Sequence, residues 1–397
     1  MRDHRAARRA APALAVLAAI VPAAAAAKVW GTDINPGDGP ALIESVRPAL
    51  AEIVGAPEAE REARIEAFAR ERAAAAIEAV KRFRNPELLA LHRRLLSHDD
   101  WRVRHRALLA LEHHGDSASL GAAWGLRSHA VPRMRERAAL FAIAVWDAAV
   151  AKEAAGGDPG KALEALRAAE PDPHVAACLD ALLLRARGKL PVIEAHTEHV
   201  VTLPDGLRLT PFISGLHEAR TKARDYLAKG VSKGGGASAA KLDPDRPWTT
   251  PLLGMGSEEV QGTSLQPFAN LRQEGRVYHT GLDVGACLDG AGYYAAADGV
   301  VRLVHSGSDM GTPLGVEPHR GGKGWVNGVD MEGGSLVFVK GGEQVRSGQL
   351  LGTMGMGYSI ENGGHYAHLH YGLYPGDFSQ THNYGYRGVP AGLIDWY

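Results

Sequence analysis

The chain changes character once, near Pro247, and this break constrains the fold more than any single motif. Before it, from about Ala41 to Gly188, Ala, Leu and Arg dominate, and apolar residues recur with the 3.6-residue period of packed helices. After Trp248 glycines arrive every few residues and the helical stripe disappears. Strand-length runs such as YYAAA, GVVRLVH, SLVFVK, QLLGTMG and YAHLHYGLY are cut by Asp298-Gly299, Gly341-Gly342 and Asn362-Gly363-Gly364. Between the halves, GVSKGGGASAAKLDPDRP has no apolar face and reads as an exposed linker. The expectation is a multidomain chain, all-α first and mostly antiparallel β second. Its divisions are a leader over 1–27, helical repeats over 28–188, a connecting segment over 189–247 and a β domain over 248–397. With 397 residues and 45% hydrophobic content, each half can bury its own core.

The clearest helical unit is SHDDWRVRHRALLALEHHGD. Asp99 or Asp100 can cap a helix, Val103, Ala107, Ala110 and Leu111 fall on one face, and Gly115 suits the C-terminal stop. NPELLALHRRLLS precedes it with a leucine stripe of its own, so the two predict a helical hairpin. The same stripe returns at Met134, Ala138, Phe141 and Ala142, each 31 residues after its counterpart. A looser copy opens at Asp172 and runs through Val175, Leu179, Leu182 and Leu183. This pattern resembles HEAT-like helical repeats over about 100 residues. A short array of that kind carries no chemistry, and its expected role is binding or positioning, with a protein partner on the repeats. The histidines here, including His92, His98, His105, His113, His114 and His129, lack a carboxylate or thiol at ligand spacing and read as solvated helix surface. HVVTLPDGLRLTPFI reads as a hairpin turning at Pro204, Asp205 and Gly206.

MRDHRAARR followed by the uncharged, alanine-rich stretch Ala10 to Ala27 has the layout of an export signal, with a retained anchor as the competing reading. No second apolar stretch of that length follows, so the mature chain is expected to have no stable membrane span and to work in the periplasm or cell envelope. Lys and Arg number 44 against 45 Asp and Glu, which leaves no whole-chain field for nucleic acid. The two cysteines, Cys178 and Cys287, fit one disulfide or two lone buried thiols, and neither lies in a CxxC knuckle.

The chemistry concentrates in two β-domain segments. In NGGHYAHLHYG, His368 and His370 alternate on a strand and share a face, with Leu369 on the other. In YHTGLDVG, His279 and Asp283 flank a glycine at a strand end. One His and one carboxylate from one loop, with one His from another strand, make three protein ligands and leave a fourth position open. That is the pattern of catalytic zinc, whereas structural zinc is closed by a fourth protein ligand.

Here the sequence resembles the lysostaphin-like zinc endopeptidases of bacterial cell-wall peptidoglycan. The ordered pieces are HTGLDVG, AAADGVV, VKGGEQVRSGQLLGTMG and HLHYGLY, spanning about Tyr278 to Gly376. The resemblance implies zinc as cofactor, a peptidoglycan peptide as substrate, His279, Asp283 and His370 as metal ligands, and His368 as the catalytic histidine. It also implies a second catalytic histidine in a Tyr-x-His sequence just before VKGGEQV. This chain reads NGVDMEGGSLVFVKGG there, so Asp330 or Glu332 stands where an imidazole is expected, and Glu332 is the candidate for that role. A glutamate can act as a base but stabilises an oxyanion poorly. His319 and His365 could fill the place spatially. His365, of opposite parity to His370, and Tyr371 are candidate substrate contacts, although aromatics on a small β domain also serve as core. Two functions follow: a zinc endopeptidase, or a zinc-bound but degenerate scaffold that binds wall or activates a partner hydrolase.

Overall fold

The computed structural model describes residues 39–72, 80–194, 201–209, 249–254, 271–272, 277–278, 282–284, 290–304, 314–318, 326–332, 334–354, 356–359, 364–367 and 369–375. The candidate leader and the linker from Gly230 to Pro247 lie outside these residues. Among them, the helices are α1 (Gly39–Gly55), α2 (Glu58–Glu71), α3 (Leu89–Leu95), α4 (Trp101–His113), α5 (Leu120–Leu126), α6 (Pro132–Ala144), α7 (Ala148–Ala154), α8 (Pro159–Ala169) and α9 (Pro173–Ala186). None is long and apolar enough to cross a membrane.

The repeat stripe becomes the spine of the helical array. Val103, Ala107, Ala110 and Leu111 of α4 and Met134, Ala138, Phe141 and Ala142 of α6 are all buried. Helix α4 packs on α6, and α6 on α9. Of the two candidate caps for α4 it is Asp100 that serves, with Arg102 N donating to its Oδ1 at 2.9 Å, and Asp172 caps α9, with His174 N and Val175 N donating to its Oδ1 at 2.9 and 3.1 Å. Gly115 and Gly188 end α4 and α9 with φ of +66°, where a Cβ is disfavoured.

Two of the six histidines depart from the expected solvated surface, while His98, His113, His114 and His129 are partly exposed. His92 has no exposed area and His105 is buried too. His92 lies four residues after Leu88 and three before Leu95, and His105 three before Leu108, so each shares a helix side with leucines that the packed hairpins bury. Burial, with His114 and Arg84 nearby adding repulsion, pushes the His92 imidazole down to about 3. Burial also holds His105 well below the usual histidine range, assisted by Arg106 and Arg137.

The strands are β1 (Ile193–Glu194), β2 (Val201–Thr202), β3 (Arg208–Leu209), β4 (Leu271–Arg272), β5 (Val277–Tyr278), β6 (Leu282–Val284), β7 (Gly292–Tyr294), β8 (Gly299–Val304), β9 (Leu314–Pro318), β10 (Val326–Glu332), β11 (Gly334–Val337), β12 (Gln344–Val345), β13 (Leu350–Met354), β14 (Met356–Ser359), β15 (Gly364–Ala367) and β16 (Leu369–Pro375). They form a four-stranded sheet in the order β1-β11-β13-β7 and a six-stranded sheet in the order β12-β8-β9-β10-β16-β6, beside three two-stranded pairs. The pairings are antiparallel. The architecture is α followed by antiparallel β.

The connecting segment is structured at both ends of its described part. Ile193 and Glu194 pair with Val337 and Leu336, so the chain leaving α9 adds an edge strand to the four-stranded sheet. The hairpin β2-β3 turns at Gly206, with φ of +84°, and docks back on the helices. Leu209 bridges to Phe83, Arg84 N donates to Arg208 O at 2.9 Å, and Arg208 N donates to Asn85 Oδ1 at 2.8 Å.

Helices and sheet share a core. Leu179 and Leu182 of α9 cluster with Tyr294, Phe338 and Leu350 of the sheet. Charged side chains of α6 reach across the same seam: Arg137 Nη1 donates to Gly290 O at 2.6 Å and Arg133 Nη2 to Leu253 O at 3.0 Å. Tyr294 OH donates to Glu136 Oε1 at 2.7 Å, and Cys178 Sγ lies 3.1 Å from the same hydroxyl. Glu136 is 1% exposed, and burial raises its carboxyl above the usual range against the opposing pull of Arg133 and the Tyr294 hydrogen bond. Cys178 is a free buried thiol, and Cys287 lies outside the described residues.

Candidate metal and catalytic site

The site is positioned by three neighbouring strands, β10, β16 and β6. In their ladders His370 is the partner of Asp283 on one side and of Glu332 on the other. Directly opposite residues of an antiparallel ladder occupy the same face of the sheet. Asp283, His370 and Glu332 therefore form one cross-strand row. The face is fixed by the neighbours of His370: Leu369 and Tyr371 are 1% and 0% exposed, and successive strand residues alternate in side. Leu369 and Tyr371 thus belong to the core, and His370 holds the register position between them.

His279 follows β5 directly, and His368 falls between β15 and β16, but both lie outside the described residues. Among the described residues no group of three His, Cys, Asp or Glu is arranged to hold a metal. The donor chemistry of the row nonetheless suits a hard or borderline divalent cation, since it sets a carboxylate position beside an imidazole position on adjoining strands. His279 would complete that set.

Glu332 and Asp330, equivalent candidates in the sequence, occupy different places. Glu332 pairs with His370, whereas Asp330 pairs with Gly372 on β16 and Gly315 on β9. The ladder singles out Glu332 as the carboxylate adjacent to the candidate metal ligand. His365 pairs with Tyr358 in the separate β14-β15 ribbon, outside the ladder that carries the row. His319 lies outside the described residues.

Tyr371 does not sit where a substrate contact is expected. It has no exposed area, and burial drives its phenol far above the ordinary range. Its partners in the ladder are Leu282 and Met331, so it fills the core beneath the row. Parity explains this: a residue adjacent to His370 on a strand must face the opposite way.

The reading from sequence passed over Glu136, Arg137 and Tyr294, which join the helices to the sheet. The available signal was the charged run RMRER inside a repeat helix whose apolar stripe continues through it.

The family model for HEAT repeats matches residues 61–144, in agreement with the stacked hairpins. No curated protein matches the chain. Among solved structures, it is similar to a zinc-containing peptidase from Vibrio cholerae at 20% identity, covering 38% of this chain and 39% of that one with a TM-score of 0.27. Csd3 from Helicobacter pylori matches at 22% identity over 38% of this chain and 35% of that one, with a TM-score of 0.25. A putative peptidase M23 from Pseudomonas aeruginosa matches at 20% over 44% and 57%, with a TM-score of 0.24. The chain spans about a third of the length of the Csd3 structure. At these scores the likenesses carry no inference about activity.

Proposed function

We propose that the β region is a zinc-dependent endopeptidase that cleaves peptide cross-links of bacterial peptidoglycan, in an exported protein whose helical array positions it. The observation that supports this reading is the register of three adjacent strands, in which His370 is the ladder partner of both Asp283 and Glu332. His279, Asp283 and His370 would hold the metal. Zinc, when bound, supplies Lewis-acid polarisation of the scissile carbonyl and lowers the pKa of water.

The remaining work falls to the chain's own groups. An imidazole nitrogen of His368 takes the proton of the attacking water as the water oxygen bonds to the carbonyl carbon. As the carbon–nitrogen bond breaks, the proton passes to the departing amine. Glu332, the ladder partner of His370, is the second base available. As a carboxylate it accepts a proton readily but does not stabilise an oxyanion.

That last property supports a second reading, a zinc-bound scaffold without turnover. Metal analysis and wall digestion separate the two. The endopeptidase reading expects about one zinc per chain, its loss in His370→Ala, and its retention in His368→Ala together with loss of peptide release from cross-linked peptidoglycan. Zinc retained by His370→Ala would overturn the ligand set. A zinc-loaded wild type that releases no fragments from any wall would leave the scaffold.

A further inference from the structure

A cavity of about 490 Å³ opens where α8 and α9 meet the four-stranded sheet and the turn after β11. None of the residues that line it belongs to β10, β16 or β6, so it is distinct from the metal row. Its volume falls within the range of small-ligand pockets. Phe338 and Leu350 contribute apolar surface from the sheet side, and Leu184 of α9 from the helical side. Leu184 is 40% exposed and is the sole exposed large hydrophobic side chain among the described residues.

The polar lining is asymmetric. Asp180 is paired with Arg167, whose Nε donates to it at 2.8 Å. Lys189 and Arg346 also line the cavity, and among the described residues neither is in an ion pair. Glu343 is the remaining anion, and its carboxylate accepts from Lys340 N at 2.9 Å within its own turn. Two cations therefore border an apolar cavity with one carboxylate against them. Thr249 and Ser347 add hydroxyls, joined to each other at 2.7 Å.

The geometry points to a binding site for the C-terminal end of a short apolar peptide, with its free carboxylate at Lys189 and Arg346 and its apolar side chain against Leu184, Phe338 and Leu350. A carboxylate meets two cations that are in no ion pair among the described residues, and charge-assisted hydrogen bonds are stronger than neutral ones. Thr249 Oγ1 and Ser347 Oγ are bonded to each other, and Ser347 Oγ also donates to Ala296 O at 3.3 Å. What they offer a ligand is therefore acceptor capacity, which a peptide N–H can use and a hydrocarbon tail cannot. The site needs both halves of the chain, so ligand binding reports on the seam between the helices and the sheet.

Calorimetric titration of the full chain with N-acetyl-Ala-Ala-Leu, its C-terminal amide and decanoate tests this. The acid is expected to bind and the amide to bind about tenfold more weakly. The double variant Lys189→Gln/Arg346→Gln should erase the difference, and Leu184→Asp should weaken both peptides. In the wild type, raising NaCl from 50 to 500 mM should weaken the acid but not the amide, which tests the charge contact without any variant. No binding by either peptide, equal binding of acid and amide, tighter binding of decanoate, or an unaltered double variant would each overturn the assignment.

Discussion

Acid should loosen the helical array, and His92 provides the measure of it. The unfolded imidazole titrates near the ordinary value of 6.5 and the folded one near 3. Between those values the unfolded chain binds more protons, so stability present above pH 6.5 is lost as pH falls toward 3. One such group removes about 2 kcal/mol between pH 7.5 and pH 5.0, by the relation of about 1.4 kcal/mol per pH unit and proton. His105, also buried with a depressed imidazole, acts in the same direction. Replacing His92 with leucine keeps a side chain of similar bulk and removes the titration. Urea unfolding of both proteins at the two pH values, followed by far-UV circular dichroism, gives the comparison. His92→Leu should lose about 2 kcal/mol less than the wild type between pH 7.5 and 5.0, whatever its stability at pH 7.5. An identical pH dependence in the two proteins would refute the claim that His92 is buried in its neutral form.

Three further outcomes follow from the fold. Tyr294→Phe removes the hydroxyl that donates to Glu136 and should cost about 1–3 kcal/mol in chemical denaturation, because the buried carboxyl loses its donor; a change within about 0.5 kcal/mol would contradict that role. Gly290→Ala places a Cβ 2.5 Å from Arg137 Nη1 and 2.6 Å from Leu109 Cδ1 at a φ of +77°. Limited proteolysis should then cut the seam between helices and sheet faster than in the wild type. Asp172→Ala removes the cap from α9 and should cost about 1 kcal/mol, read as a lower urea midpoint, while Asp147→Ala at the shorter and more exposed α7 should cost less.

The sequence determined what depends on local spacing. The 3.6-residue stripes, the capping aspartates at 100 and 172 and the glycines at 115 and 188 specify helices and their ends, because those signals act within one turn of the chain. The glycine-broken runs after Trp248 likewise specify strands, and the alternation of His368, Leu369 and His370 specifies sides. Register between strands is a different matter, since it depends on partners far apart in the chain. Only the tertiary structure set Glu332, rather than Asp330, opposite His370, and made the side shared by Leu369 and Tyr371 the enclosed one. It also brought Ile193 and Glu194 into the sheet of the distant C-terminal half. Burial followed the same division. His92 shares a helix side with Leu88 and Leu95, and it lost its water because neighbouring hairpins cover that side. Local periodicity records which way a residue points from its own element, while enclosure and cross-strand company are fixed by what that element packs against.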